Sequence, residues 1–333
     1  MILITGGAGY IGSVLVKHLL NQNYKVRVID SFWFGKESLA EYKNKIEIVE
    51  GDIRNPPKDI FKNIDSVIHL AGFSNDPTAN FDTKTNFEIN TYATLSFAKQ
   101  AKSKGVKQFI FGSSCSIYDQ GFTSKIKTLR ESDKVFPKSA YSLSKYQAEQ
   151  GLLDLASNKF CVVVVRKGTV YGYSSRMRYD LVINTMVKDA LSYGKINVLA
   201  GGVQFRPLIS VDDVARGYIL FLKQNSSKLN KNIFNLLSNN FRIIDVAKIV
   251  KKSLKKYRNV SISVSDVFIE TRNYKVSNKK IKKYLNFKPV DNIESIAKDM
   301  IKKIYKFKKT DFDNFNYYNI EWMKRMYEKQ QRL

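Results

Sequence analysis

Tyr141 and Lys145 are residues whose types and spacing could do chemistry, at the two ends of the segment YSLSK. A separation of four residues puts both side chains on one face of a helix. Because a nearby ammonium group stabilises tyrosinate, we expect Lys145 to lower the pKa of Tyr141 from its reference value of ~10. Such a tyrosine can take a proton from an alcohol while a hydride leaves for a nicotinamide ring. The pattern Y-x-x-x-K alone is common and mostly structural, so its meaning depends on the rest of the chain.

A hydroxyl that could assist this tyrosine lies in the segment SSCS, residues 113–116, directly after a predicted strand. Ser114 could hydrogen-bond the same substrate oxygen as the tyrosine. Each of these serines could equally be a turn hydroxyl that is satisfied by its own backbone.

A glycine-rich turn, TGGAGYIG at residues 5–12, follows the first predicted strand and opens a helix. Gly6, Gly9 and Gly12 permit a tight turn and a close approach of backbone to a pyrophosphate, with Tyr10 and Ile11 beside them. The N-terminus of the following helix offers N–H donors and a partial positive charge. Asp30 ends the next strand, where a carboxylate accepts hydrogen bonds from the adenosine ribose and repels a 2′-phosphate. The combination predicts an NAD site and disfavours NADP.

Two further strand ends extend this predicted dinucleotide site. Asp52 and Ile53 follow the third strand, and Asp52 could meet the adenine amino group or be a carboxylate of a surface turn. Leu70, Ala71 and Gly72 end the fourth strand with small residues, which would let a dinucleotide lie across it.

Short β-rich runs alternate with helical patterns in the first half of the chain, which predicts an α/β protein with a Rossmann doubly wound parallel sheet. The predicted strands are 2–5, 25–30, 46–50, 66–70, 108–112 and 161–166, and the predicted helices lie near 10–22, 85–104 and 139–157. We expect an NAD-binding domain over 1–167, to which a segment near 205–236 returns. We expect 168–333 to form mainly a smaller C-terminal α/β substrate-binding domain, with a strand at 261–264 and a tail, 312–333, that packs as a helix.

Composition limits the classes of function. The net charge of +26 is compatible with a nucleic-acid or membrane partner, but lysine pairs alternate with apolar residues on helical patterns, which favours a solvated surface. No nucleic-acid-binding motif or long apolar run is present, so we expect neither partner. Two cysteines and two histidines indicate no metal site and no disulfide framework. With no leader pattern at the start, we expect a cytoplasmic protein.

The linked motifs resemble those of the extended short-chain dehydrogenase/reductase family, in its NAD-dependent nucleotide-sugar epimerase/dehydratase branch. The motifs are TGGAGYIG (5–12), Asp30, GDI (51–53), HLAG (69–72), SSCSIY (113–118), YSLSK (141–145) and RPLISVDDVA (206–215). The resemblance covers nearly the whole chain. It implies a nucleotide-diphosphate sugar as substrate, and a homodimer built from the helices near 85–104 and 139–157.

The resemblance also assigns residues. It implies a catalytic triad of Ser114, Tyr141 and Lys145, with Asn90 at a cofactor-binding helix position. The residues that it assigns to the substrate are Arg206 and Arg272 on the diphosphate, and Thr169, Arg178 and Asn184. Thr169 stands where many relatives have asparagine.

One departure from the family pattern bears on the reaction. Relatives that dehydrate the sugar carry an Asp-Glu pair directly after the catalytic hydroxyl residue, where this chain has Cys115 and Ser116. Neither side chain is a good acid or base at neutral pH, since the reference pKa of cysteine is ~8.5. Oxidation at C4 without dehydration is therefore favoured, as a 4-epimerase or as a 4-dehydrogenase or 4-keto reductase. A non-catalytic dinucleotide sensor is the alternative from another class.

Overall fold

The structure, a computed structural model, describes residues 1–120, 126–265, 267 and 272–331. Its strands are β1 Ile2–Thr5, β2 Val26–Asp30, β3 Glu47–Glu50, β4 Ser66–His69, β5 Gln108–Ser114, β6 Thr128–Leu129, β7 Cys161–Lys167, β8 Thr169–Tyr171, β9 Lys195–Val198, β10 Phe205–Ser210, β11 Asn232–Leu236, β12 Asn239–Arg242, β13 Ser261–Val264 and β14 Lys275–Val276. Its α-helices are α1 Tyr10–Leu20, α2 Asp76–Phe81, α3 Thr83–Phe87, α4 Thr94–Ser103, α5 Ala140–Leu155, α6 Val182–Tyr193, α7 Val211–Lys223, α8 Ser226–Leu229, α9 Ile243–Leu254, α10 Lys279–Leu285, α11 Ile293–Ile304 and α12 Asn319–Gln331.

The central sheet has seven strands in the order β11-β7-β5-β4-β1-β2-β3. Every neighbouring pair in it is parallel. Parallel strands need crossover helices, and these cover both faces of the sheet. The predicted Rossmann doubly wound fold is thereby confirmed, with strand ends within two residues of those predicted.

The apolar run in β7 shows why this sheet is buried on both faces. Val162 and Val164 belong to the core formed with α4 and α5, whereas Val163 and Val165 belong to the core formed with α1 and α7. All four are fully buried. Their alternation follows from the two-residue period of a strand.

The C-terminal part adds small α/β layers beside the sheet. A second sheet has the order β12-β10-β8, and β13 pairs with β9 in parallel register. Two elements of the C-terminal part belong to the N-terminal part in space, since β11 pairs with β7 and α7 packs on α1. The tail does contain a helix, α12, which starts seven residues later than the predicted tail segment.

The helix predicted near 85–104 is interrupted. Residues Glu88–Ala93 form a π-helical segment between α3 and α4. There the hydroxyl of Thr94 donates to the carbonyl oxygen of Ile89, five residues back, at 3.1 Å. Single π-helical turns inside helices are often found at functional sites, and this one contains Asn90.

Within the part of the chain that the structure describes, no helix is long and apolar enough to cross a membrane. The same residues include no group of three or more side chains arranged to hold a metal ion. Cys115 and Cys161 are both free and buried.

Candidate active site

A cavity of about 640 Å³ opens at the carboxyl ends of the parallel strands. This is where ligands bind in open α/β sheets, and the volume suits a small-molecule site. Most residues predicted for the site line this cavity: Gly6, Gly9, Tyr10, Ile11, Gly12, Asp30, Asp52, Ile53, Leu70, Ala71, Gly72, Ser114, Tyr141, Lys145, Thr169, Arg178, Arg206 and Arg272. Asn90 and Asn184 do not.

The glycine-rich turn leaves the start of α1 open. A Cβ atom on Gly12 would lie 2.3 Å from the carbonyl oxygen of Gly6, so no side chain fits there. The first turn of α1 has no acidic residue, and no side chain caps it. Its N–H groups therefore have no partner from a cap, which suits the phosphates of a dinucleotide.

Asp30 is held in place by backbone donors. Its carboxylate accepts hydrogen bonds from the N–H groups of Ala8 and Phe32, each at 2.9 Å. Burial raises the pKa of Asp30, and the same two hydrogen bonds act against that rise. These hydrogen bonds join the carboxylate to the glycine-rich turn at the cavity, and the residues present fit a dinucleotide.

Tyr141 and Lys145 lie on α5, whose N-cap residue is Ser139 and whose N-terminus is closed by a capping box between Ser139 and Ser142. The predicted lowering of the pKa of Tyr141 by Lys145 is wrong for this structure. Burial raises the pKa of Tyr141, and the opposing influences are a hydrogen bond with Ser114 and the charges of Arg272 and Arg178. Burial also lowers the pKa of Lys145 to about 8. Desolvation dominates both groups because neither has an ionised partner in contact.

A buried ion pair fixes α5 against β5 and β7. Arg166 donates to the carboxylate of Glu149 at 2.6 Å, and both side chains are almost fully buried. Ser113 donates to the same carboxylate at 2.5 Å. Ser113 is thus a satisfied hydroxyl, whereas its neighbour Ser114 faces the cavity beside Tyr141.

Cys115 and Ser116, which stand where dehydrating relatives carry carboxylates, are outside the cavity lining. The thiol of Cys115 donates to the carbonyl oxygen of Arg166 at 3.2 Å, and burial raises its pKa. Ser116 is 1% exposed, and its hydroxyl has no partner among the described residues. Neither group is placed to act as an acid or base on a ligand.

Three of the four arginines that line the cavity are those predicted from the sequence: Arg178, Arg206 and Arg272. Arg272 forms an ion pair with Asp76, and its guanidinium carbon lies 5.9 Å from the Tyr141 ring centroid. Arg178 pairs with Asp180 at 2.7 Å. Arg206 has no carboxylate within salt-bridge distance among the described residues, and burial lowers its pKa. A phosphate group is the kind of ligand that forked, charged donors of this type recognise.

Asn184 uses its polar groups within the protein, whereas the side-chain oxygen of Asn90 is buried without a hydrogen-bond partner among the described residues. Asn90 donates to the carbonyl oxygen of Phe73 at 3.1 Å, behind the cavity wall. Its side-chain oxygen faces Gly72, where a Cβ atom would lie 2.2 Å from it. Asn184 accepts from the N–H of Gly172 and donates to the hydroxyl of Tyr10. It therefore supports the wall that contains Tyr10 and has no free group for a substrate.

Three charged residues of the cavity are not among those predicted from the sequence: Asp76, Lys167 and Arg176. Lys167 donates to the carbonyl oxygen of Ser113 at 2.8 Å, and burial lowers its pKa to about 7. The basic pair Arg166 and Lys167 directly after a buried apolar run was a signal that could have been followed. Asp76 is the first residue of α2 and Arg176 lies in a loop, and neither stands in a distinctive sequence pattern.

Comparison with known proteins identifies the family. The model of the NAD-dependent epimerase/dehydratase family matches residues 2–236. The chain belongs to this family. The resemblance inferred from the motifs is confirmed, and NAD, predicted from the glycine-rich turn and Asp30, is the cofactor of the family.

Individual relatives differ in their reactions. UDP-glucose 4-epimerase of Haemophilus influenzae is 30% identical over 291 residues, covering 79% of this chain and 84% of the relative. UDP-glucuronic acid decarboxylase 1 of Xenopus tropicalis is 24% identical over 314 residues, covering 92% of this chain and 72% of the relative.

A solved structure, UDP-glucuronic acid 4-epimerase of Bacillus cereus in complex with UDP-glucuronic acid and NAD, matches with a TM-score of 0.79. It is 24% identical and covers 91% of this chain and 99% of its own. This likeness shows the fold. Together the comparisons show a member of a family of NAD-dependent enzymes, without singling out one reaction.

Proposed function

We propose that the protein oxidises C4 of a nucleotide-diphosphate sugar with NAD, as a 4-epimerase that does not dehydrate the sugar. The observation that carries this proposal is that Tyr141 and Ser114 line the same cavity, whereas Cys115 and Ser116 are outside its lining. Oxidation at C4 needs a proton acceptor beside the substrate hydroxyl. Elimination of water would need a further acid and base, and these are missing at the positions where related dehydratases have them.

In this mechanism Tyr141 takes the proton of the C4 hydroxyl at its phenolic oxygen and returns it when the sugar is reduced. Ser114 shares a hydrogen bond with that oxygen and holds the substrate hydroxyl in reach. The glycine-rich turn and Asp30 would hold NAD, which would supply the hydride acceptor for oxidation at C4 and the hydride donor for reduction of the opposite face. The charges of Arg178 and Arg272, which oppose the rise in the pKa of Tyr141, stabilise the tyrosinate.

Arg206 and Arg272 are proposed to hold the diphosphate, with Thr169 and Arg178 nearer the sugar. Arg206 is available without rearrangement, whereas Arg272 is paired with Asp76 and would exchange that carboxylate for phosphate. Asp52, beside Ile53, remains the proposed contact of the adenine, although its carboxylate pairs with Arg54 at 2.6 Å.

A homodimer through the helical region at 85–104, which comprises α3, the π-helical segment and α4, and through α5 is part of the proposal. Tyr92 is 65% exposed and Leu143 is 36% exposed, so apolar side chains of this region face outward. Buried free cysteines suit the cytoplasm as its location.

The test is to incubate the protein and NAD with a panel of nucleotide sugars that includes UDP-glucose and UDP-glucuronic acid, and to follow each by mass spectrometry and NMR. Unchanged mass with inverted C4 is expected. A loss of about 2 Da would instead favour the 4-dehydrogenase, a figure that follows from hydride stoichiometry. A product about 18 Da lighter, formed at ordinary turnover, would refute the argument from Cys115 and Ser116. No turnover of any sugar, with NAD bound, would favour the dinucleotide sensor.

A further inference from the structure

Arg176 is a buried cation of the cavity without an anionic partner in contact. It is 6% exposed and lines the cavity. Its Nη2 donates to the side-chain oxygen of Asn319 at 2.6 Å, and its guanidinium carbon lies 3.8 Å from the Phe34 ring centroid. Its Nε has no hydrogen-bond partner among the described residues. No carboxylate of the described residues lies within salt-bridge distance of Arg176, and Asp180 and Asp76 are paired with Arg178 and Arg272.

Such an environment is unfavourable for a charged group unless a ligand completes it. Burying an unpaired charge costs several kcal/mol in real proteins. In agreement, burial lowers the pKa of Arg176 to about 9 and the charge of Arg178 acts in the same direction, while the charges of Asp180 and Asp30 oppose the shift without forming an ion pair with Arg176. An anion beside the guanidinium would offset the free-energy cost of burying its charge.

The position of Arg176 indicates which anion. Its segment crosses the first turns of α1, where Tyr10 donates to the carbonyl oxygen of Gly172 at 2.7 Å and Ser13 bonds Ser174 at 2.9 Å. On its other side lies Asp30, at the adenosine end. The guanidinium thus shares the cavity with the uncapped start of α1, which is the part of a Rossmann fold that receives a pyrophosphate.

We propose that Arg176 binds the pyrophosphate of NAD from the side opposite the glycine-rich turn, and that the C-terminal helix α12 holds Arg176 in place as a cover. Three residues of α12 carry the argument. Asn319 joins Arg176 to Ser74, to which it donates at 2.9 Å. Trp322 stacks on Trp33 with ring centroids 5.3 Å apart. Met323 lines the cavity.

The inference rests on NAD as the cofactor and not on the sugar reaction, so either can fail alone. The experiment uses protein freed of bound nucleotide and measures its affinity for adenosine, ADP and NAD. The chain has two tryptophans, and these are the stacked pair Trp33 and Trp322. Intrinsic fluorescence therefore reports on this site.

Arg176→Gln is expected to weaken ADP and NAD binding by roughly tenfold or more, since a hydrogen bond to a charged group contributes ~1.5–3 kcal/mol. Adenosine, which has no phosphate, should bind as before. Arg325→Gln is the matched control. Arg325 lies on α12, its guanidinium carbon is 4.4 Å from the Phe315 ring centroid, and it does not line the cavity. It should leave all three affinities unchanged.

Equal loss of affinity for all three ligands, or for none, would overturn the proposal. NADP is titrated as a fourth ligand, and a loss of affinity confined to NADP would overturn the proposal too, because Arg176 would then face the 2′ position. Should the glutamine variant fail to fold, Arg176→Lys keeps the charge but loses the planar fork, and is expected to weaken ADP about threefold or more with adenosine unchanged. Without that selective loss the proposal fails.

Discussion

Replacing Tyr141 with phenylalanine separates the chemistry of this site from its stability. The substitution removes one hydroxyl from a side chain that lines the cavity together with Ser114. A positioned acid or base contributes ~10²–10⁴ in rate, so turnover should fall by roughly a hundredfold or more. A hundredfold loss is about 2.7 kcal/mol in the activation free energy. The free energy of unfolding should fall by only about 1 kcal/mol, the usual contribution of one hydrogen bond.

Tyr118→Phe is the matched control. The Tyr118 hydroxyl donates to the side-chain oxygen of Asn235 at 2.9 Å and accepts from Arg166 at 2.7 Å, and it does not line the cavity. Losing one neutral and one charged hydrogen bond should destabilise the protein by about 2–4 kcal/mol. The control should therefore be the less stable variant and yet the more active one.

The assay is turnover of the sugar identified in the panel, with unfolding by denaturant and NAD binding measured on the same preparations. The two variants must rank in opposite order by stability and by turnover. Near-normal turnover by folded Tyr141→Phe would refute the assignment of Tyr141 as the proton acceptor. A turnover loss in Tyr118→Phe as large as in Tyr141→Phe would show that damage to the α5 region, and not lost chemistry, explains both.

Two further predictions concern the cofactor and pH. We expect the unmodified protein to bind NAD about tenfold or more tightly than NADP, because the carboxylate of Asp30 would repel a 2′-phosphate. Asp30→Ala should reduce this difference in affinity. Calorimetric titration that shows equal affinities in the unmodified protein would contradict the prediction. Burial lowers the pKa of Lys145 to about 8, so Lys145 is protonated below that pH and neutral above it. If the ammonium form assists Tyr141, kcat/KM should decline as pH rises through about 8, since kcat/KM reports groups of the free enzyme; a flat profile across this range, or one unmoved by Lys145→Arg, would argue against that role.

Much of the cofactor end could be predicted from the sequence because its determinants are local. The glycine spacing, the strand that precedes it and the helix that follows lie within residues 2–20, and Asp30 ends the next strand. The alternation of strands with helices similarly dictates a parallel sheet, and parallel strands bring their carboxyl ends together. Tyr141 and Lys145 share a face because they share a helix.

What depends on burial was decided only by the tertiary structure. The helical spacing of Tyr141 and Lys145 suggested that the ammonium would lower the pKa of the tyrosine. In the folded chain desolvation outweighs such charge effects and raises it. The spacing gives a distance along one helix, whereas desolvation depends on every element that packs over it.

Long-range contacts were also beyond the sequence. Arg272 meets Asp76 across 196 residues, Arg176 meets Asn319 across 143, and Asn319 meets Ser74 across 245. No periodicity or local spacing encodes such pairs, because they form only when segments far apart in the chain fold over the strand ends. The sequence by itself thus determined the sheet, the glycine-rich turn and the shared helical face of Tyr141 and Lys145. The tertiary structure decided which cations face the cavity and which of them have no partner, since a charge is left unpaired only by the way distant segments enclose it.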